Sequence, residues 1–190
     1  MHHHHHLQGG SEHLLFDPKR RIPESVIEDL CALPCRCLSA QRQLPWHLVV
    51  AASRQTRTGI WQAIAPHLPA SLPLLQQASH LMVLCTREQA NETGSPGLIM
   101  PCQGAAAHDG AGSQHVYIAL GSLLLGAAVF ELKTHTVEAF DGDLLDEWLG
   151  LGEQGLTSRV VLALGYPPQG GDPDPFAYTR LPQHLVMSRR

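Results

Sequence analysis

Aromatic residues make up only 5% of this chain and charged residues only 16%, and the net charge is −4 with no long basic run. A dedicated nucleic-acid binder needs a cationic face, so these shortages argue against that class. No apolar stretch reaches the roughly 20 residues of a membrane span. The strongest candidate, residues 116–130, stops at fifteen, and no signal peptide is legible near the start. Cysteine is sparse and odd in number: Cys31, Cys35, Cys37, Cys85 and Cys102 follow no framework spacing. That usage points to free thiols in a reducing cytoplasm. Cys31-x3-Cys35-x-Cys37 matches no common zinc pattern and reads as packing thiols on a helix. Five of the thirteen histidines fall in residues 1–10, MHHHHHLQGG, a purification tag and scar. The other eight are scattered, so no metal site is expected. A Gly-rich phosphate loop, a G-x-S-x-G elbow and a paired-carboxylate site are also missing.

What remains, residues 11–190, is enough for a single domain with a real core, and an apolar content of 44% fits a globular chain. Its organising stretch is residues 113–132, SQHVYIALGSLLLGAAVFEL, apolar on nearly every side and interrupted only by small residues. A helix that is hydrophobic all round must be covered all round. It therefore runs either through the middle of a domain or into a dimer interface.

Around it, the pattern predicts a helix opening at Pro23-Glu24, with Pro34 set to kink or end it. A buried strand follows over 48–52, then a helix over 56–67 with Ile60, Trp61 and Ile64 inward, a short helix within 71–77, and a second buried strand over 80–86. Residues 87–112 are rich in Gly, Ala and Pro and lack periodicity, which predicts a long loop, either a plain surface connection or a lid. Beyond the central helix come a short extended segment over 134–137 and a helix over 141–149 with Leu144, Leu145 and Trp148 inside. Asp141 fits its N-cap and Gly150 its stop. The clearest strand is 157–166. Strands alternating with helices predict an α/β or α+β class built on a helix-wrapped sheet.

The order of the segments goes further than any one of them. Phe16-Asp17, Pro45-Trp46-His47 before a strand, and Ala78-Ser79-His80 entering the next come first. Val116-Tyr117 and Leu124-Leu125-Gly126 in the apolar helix, Val137-Glu138-Ala139-Phe140-Asp141, Leu164-Gly165-Tyr166, and Arg180-Leu181-Pro182-Gln183 complete the series. Together, in this order, they resemble the nitroreductase family, in particular its oxygen-insensitive nitroreductases and dihydropteridine reductases. The likeness runs from Phe16 onward except through 87–112, where it implies a shortened loop in place of the family's helical insertion. It implies an α+β, three-layer α/β/α fold with a central, mostly antiparallel sheet, and a homodimer built on the long apolar helix. It further implies FMN as cofactor, NAD(P)H as co-substrate, a nitroaromatic or quinone as the small aromatic acceptor, and no nucleic acid or membrane as partner.

Carried over residue by residue, the resemblance implies cofactor contacts from Ser39, Ala40 and Arg42 in the loop before Pro45, from Val137, Glu138 and Ala139 after the extended segment, and from Tyr178 and Arg180 near the end. No catalytic acid or base is implied, because the flavin does the chemistry. Several positions depart from the family pattern. Ala139 stands for a glycine, Tyr178 for a lysine, Ala40, Gln41 and Arg42 for Ser, Thr and Asn, and Ser71 and Leu74 for an Asn and a Lys. Gly10, Ser11 and Glu12 occupy the place of an Arg-His-Ser. Removing one charge-assisted hydrogen bond from a flavin phosphate costs about 1.5–3 kcal/mol. Two or three such removals predict FMN binding weakened by orders of magnitude, or abolished. The competing expectation is therefore a degenerate member that keeps the scaffold and serves as a ligand-binding or protein-interaction module.

Overall fold

The computed structural model describes residues 15–36, 45–51, 53–87 and 111–169. Within them, four strands form one antiparallel sheet in the order β1-β2-β4-β3. Their ranges are β1 (Trp46–Ala51), β2 (His80–Arg87), β3 (Lys133–Val137) and β4 (Leu156–Gly165). The helices are α1 (Glu24–Arg36), α2 (Arg54–Ile64), α3 (Leu72–Leu75), α4 (Ala111–Val129) and α5 (Gly142–Leu149).

The central strands β2 and β4 are apolar runs because both of their faces are covered. Met82, Leu84, Val160, Leu162 and Leu164 point to one side and pack with Ile27 and Leu30 of α1 and Val116, Leu123 and Ala127 of α4. Leu81, Val83, Cys85, Val161 and Ala163 point to the other, against Ile60, Ile64, Leu75 and Leu145 of α2, α3 and α5. The result is the three-layer α+β arrangement, with the sheet between two helical layers. Burial pushes the Cys85 thiol up to about 12, aided by the charge of Asp146.

Local chemistry explains most boundaries. Ser53 caps α2 by accepting from the Thr56 N–H at 3.0 Å, and Asp141 caps α5 by accepting from the Leu144 N–H at 3.0 Å. Gly150 ends α5 in the left-handed region at φ 63°, as its lack of a Cβ permits. Pro34 lies in the last turn of α1, which runs on to Arg36.

Two expectations need correction. Arg87 belongs to β2 and residues 111–112 to α4, so the loop expected over 87–112 is shorter at both ends, and 88–110 lie outside the described residues. Trp148, expected inside, is 43% exposed. It lies over Gly59 on α2, where a Cβ would sit 2.7 Å from the ring, and its outer face stays open. Of the two courses expected for α4, a path through the middle of the domain is excluded, because one face stays uncovered within the protomer. Tyr117, Ile118, Leu125 and Val129 form one exposed stripe at helical spacing, with Leu125 74% and Val129 79% exposed.

Candidate functional site

Because the sheet is antiparallel throughout, the start of β1, the end of β2 and the start of β4 lie together at one end of it, and β3 runs toward that end but stops at Val137, opposite Val161 midway along β4. Residue 137 ends β3 there. Val137 is buried against the core on the α5 side, and Glu138 and Ala139, which follow, are exposed. Phe140 returns to the core, and the Asp141 N–H donates to the Ala63 carbonyl at 2.9 Å before α5 begins. Glu138 and Ala139 are thus a short exposed crossing between two anchored points.

The Glu138 carboxylate lies near the Tyr117 phenol of α4. Burial and the adjacent carboxylate hold the Tyr117 phenol above its ordinary range, with Arg159 acting in the opposite sense. Arg159 reaches this place through a β-bulge. The β2–β4 register slips between Leu84 and Cys85, so Leu84 faces Val160 while Cys85 faces Ser158, and Arg159 has no partner in the ladder. The Ser158 N–H turns instead to the Asp146 carboxylate of α5 at 2.9 Å. Its hydroxyl is the one buried side-chain oxygen without a partner among the described residues. The bulge aims Arg159 at Thr86, whose hydroxyl accepts from its Nε at 3.1 Å. At the end of β2 the Arg87 N–H holds the Pro45 carbonyl at 2.9 Å. Partial burial and the Arg87 charge lower the pKa of His47.

The opposite edge carries a second polar group. Arg21 and Arg57 both donate to the Ser79 carbonyl, at 2.8 and 3.3 Å, and Arg57 also donates to the Ala78 carbonyl at 2.6 Å. Ser79 Oγ accepts from the Ile22 N–H at 2.9 Å and contacts His80 Nδ1 at 3.0 Å. Here the guanidiniums are engaged in closing loop backbone onto the sheet.

Of the residues the sequence nominated, the structure brings Val137, Glu138 and Ala139 together at the end of β3. Ser39, Ala40, Arg42, Tyr178 and Arg180 lie outside the described residues. Leu74 packs beside the core on the α3 side, and Ser71 stands just before that helix. Ala139, which stands for a glycine of the family pattern, is exposed within the protomer. Sequence reasoning missed the Tyr117–Glu138 pair and Arg159. A bulge leaves no clear mark in a β-rich run such as 156–165, whereas a tyrosine in an otherwise aliphatic helix was a usable signal. Among the described residues no three His, Cys, Asp or Glu side chains could hold a metal ion, and no helix is long and apolar enough to cross a membrane.

With this geometry in hand, comparison with known proteins is informative. The family model described as Nitroreductase family matches residues 15–166. An oxygen-insensitive NAD(P)H nitroreductase of Salmonella typhimurium is 24% identical over 178 residues, covering 80% of this chain and 82% of its own length. Among solved structures, a nitroreductase family protein of Clostridium difficile superposes with a TM-score of 0.66 at 17% identity, over 91% of this chain and 89% of that one. A structure described as an oxidoreductase containing FMN gives a TM-score of 0.62 at 20% identity, over 81% and 71% of the two chains.

Proposed function

The chain belongs to the nitroreductase family, and from that premise we propose that it is an FMN-dependent NAD(P)H oxidoreductase, working as a homodimer on nitroaromatic or quinone acceptors. One observation carries the proposal. The Glu138 carboxylate is near enough to Tyr117 to raise its phenol, so the exposed crossing after β3 and the exposed apolar stripe of α4 lie side by side. A second copy seated on that stripe would wall the crossing and make it the floor of a cleft.

The residues present fit a flavin. Glu138 and Ala139 offer exposed backbone beside a layer of apolar side chains, and the Ala139 methyl meets no crowding in its own protomer. In this reading Val137, Glu138 and Ala139 lie along the ring. Ser39, Ala40 and Arg42 come from the loop before β1, and Arg180 with Tyr178 holds the phosphate end. FMN, when bound, supplies the hydride chemistry, and the protein supplies binding, orientation and exclusion of water. The phosphate contact is where affinity is lowest, since Arg180 lacks the neighbouring lysine of the family pattern.

The test is a titration of purified protein with FMN, followed by flavin fluorescence, and then NADPH oxidation with a nitroaromatic acceptor. Saturable quenching with acceptor-dependent turnover is the expected result. Protein that stays colourless and leaves FMN fluorescence unquenched in large excess of protein would instead make it a degenerate scaffold serving another ligand or partner.

A further inference from the structure

We propose that Cys31 and Cys35, one helical turn apart on α1, form a two-thiolate site for a single soft cation of the copper(I) type. The proposal is independent of the flavin reading above.

Four residues along an α-helix advance about 6 Å and turn about 40° past a full circle, so positions 31 and 35 share a face. The helix is continuous from Glu24 to Arg36, with Pro34 inside it. Helical side chains lean toward the N-terminus, and Cys35 does so: its thiol donates to the Cys31 carbonyl at 3.6 Å. Its sulfur is therefore held over the turn that carries Cys31. Both thiols are free, Cys31 half-buried and Cys35 exposed, so the pair opens to solvent on one side. Packing accounts for Cys31, which lies against the core on the α4 side, but not for Cys35.

Spacing decides the chemistry. Residues at i and i+4 hold their Cβ atoms about 5–6 Å apart. A disulfide needs about 3.5–4.5 Å, so oxidation would have to pull the helix out of shape. One metal ion in line between two sulfurs spans about 4.6 Å, at bonds of about 2.3 Å each, which the pair reaches without moving backbone. Zinc wants four ligands, and among the described residues no three His, Cys, Asp or Glu side chains could hold an ion. Two thiolates suit a soft cation instead. Each thiol gives its proton to solvent as its sulfur–metal bond forms, and no oxidation state changes. Glu24 and Glu28, exposed on the same stripe of α1, favour a cation there, with Arg36 opposing.

The test titrates copper(I) under nitrogen, against bicinchoninate as competing chelator, into protein with Cys37 and Cys102 replaced by serine. Cys85 is fully buried, which leaves the pair to meet the cation. The intact pair is compared with Cys31→Ser, with Cys35→Ser, and with Cys35→Ser combined with Ala32→Cys, which keeps two thiols but not on one face. All four proteins keep the histidines of residues 1–10, so any copper held there cancels. Cys35 and Ala32 are exposed, so variants there keep the fold even if Cys31→Ser does not. One equivalent per chain is expected on the intact pair, with sulfur-to-copper absorption in the ultraviolet. Each serine variant is expected to bind about 10²–10⁴-fold more weakly, the gain that joining a second ligand on one frame supplies, and Ala32→Cys is expected not to restore it. Equal affinity in Cys35→Ser, full recovery with Ala32→Cys, or half an equivalent of copper per chain would each overturn the proposal.

Discussion

Replacing Leu125 and Val129 together by glutamate is expected to convert a dimer into a monomer while leaving the fold intact. Both side chains project from the outer face of α4, 74% and 79% exposed, so the protomer has little to lose from the change. Fully burying a Val or Leu side chain is worth about 1.5–3 kcal/mol. With three-quarters of each still open, covering both by a second copy gives about 2–4 kcal/mol per protomer. Two unpaired carboxylates in the same place add a desolvation cost of several kcal/mol. The association constant is then expected to fall by a factor on the order of a thousand or more, since each 1.4 kcal/mol is about tenfold. Sedimentation velocity over a range of loading concentrations reads this directly, and far-UV circular dichroism checks the fold. A wild-type protein that stays monomeric at concentrations on the order of tens of micromolar would refute the reasoning, and so would a double variant with the wild-type association constant.

Three further outcomes follow from packing and charge. A Cβ at Gly165 would lie 2.7 Å from a ring carbon of Phe16 and 3.0 Å from its Cβ, and Phe16 is fully buried with no room to turn. Gly165→Ala is therefore expected to cost about 1–3 kcal/mol in urea unfolding. Gly59→Ala, by contrast, meets a Trp148 ring that can tilt outward and gains about 1 kcal/mol of helix propensity, so its midpoint is expected to stay near wild type. The pKa of His80 is lowered chiefly by burial, then by Arg21 and, more weakly, Arg57, with Glu24 opposing. A base whose folded pKa lies below its unfolded value binds protons more readily when unfolded. Its stability is thus expected to fall as pH drops below the ordinary histidine value near 6.5, and His80→Gln is expected to flatten that slope in urea midpoints measured from neutral pH downward.

Much of this architecture can be read from local chemistry. Asp141 and Gly150 bracket α5 because a cap needs a short side-chain acceptor at one end and freedom from a Cβ at the other, and both needs are written in single residues. The runs 80–87 and 156–165 declare buried strands because both faces are covered. The bulge is different. It depends on the Ser158 N–H finding Asp146, a partner twelve residues earlier in the chain and on another element, and no local pattern predicts that choice. Of the nominated residues, the structure describes only the three that follow one another at the end of β3. Residues 137–139 were nominated by the resemblance, whereas the nearness of Tyr117 requires knowing that α4 and the end of β3 meet.

The two edges of the sheet use their cations in opposite ways, and that contrast bears on where a ligand would go. At the His80 edge, Arg21 and Arg57 donate to the carbonyls of Ala78 and Ser79, closing the loop onto the sheet beneath buried side chains. Charge used in this way is structural, and an anion would have to compete with backbone already in place. At the Glu138 edge, Arg159 is exposed, and its Nε hydrogen bond to the Thr86 hydroxyl occupies only part of its guanidinium. The bulge that frees it also severs one rung of the ladder and leaves the Ser158 hydroxyl buried without a partner. Native proteins keep irregularities of this kind where a side chain has to be re-aimed. The departure from ideal pairing, the exposed crossing and the uncovered face of α4 lie near one another, and this is the arrangement that the proposed site between two copies would need.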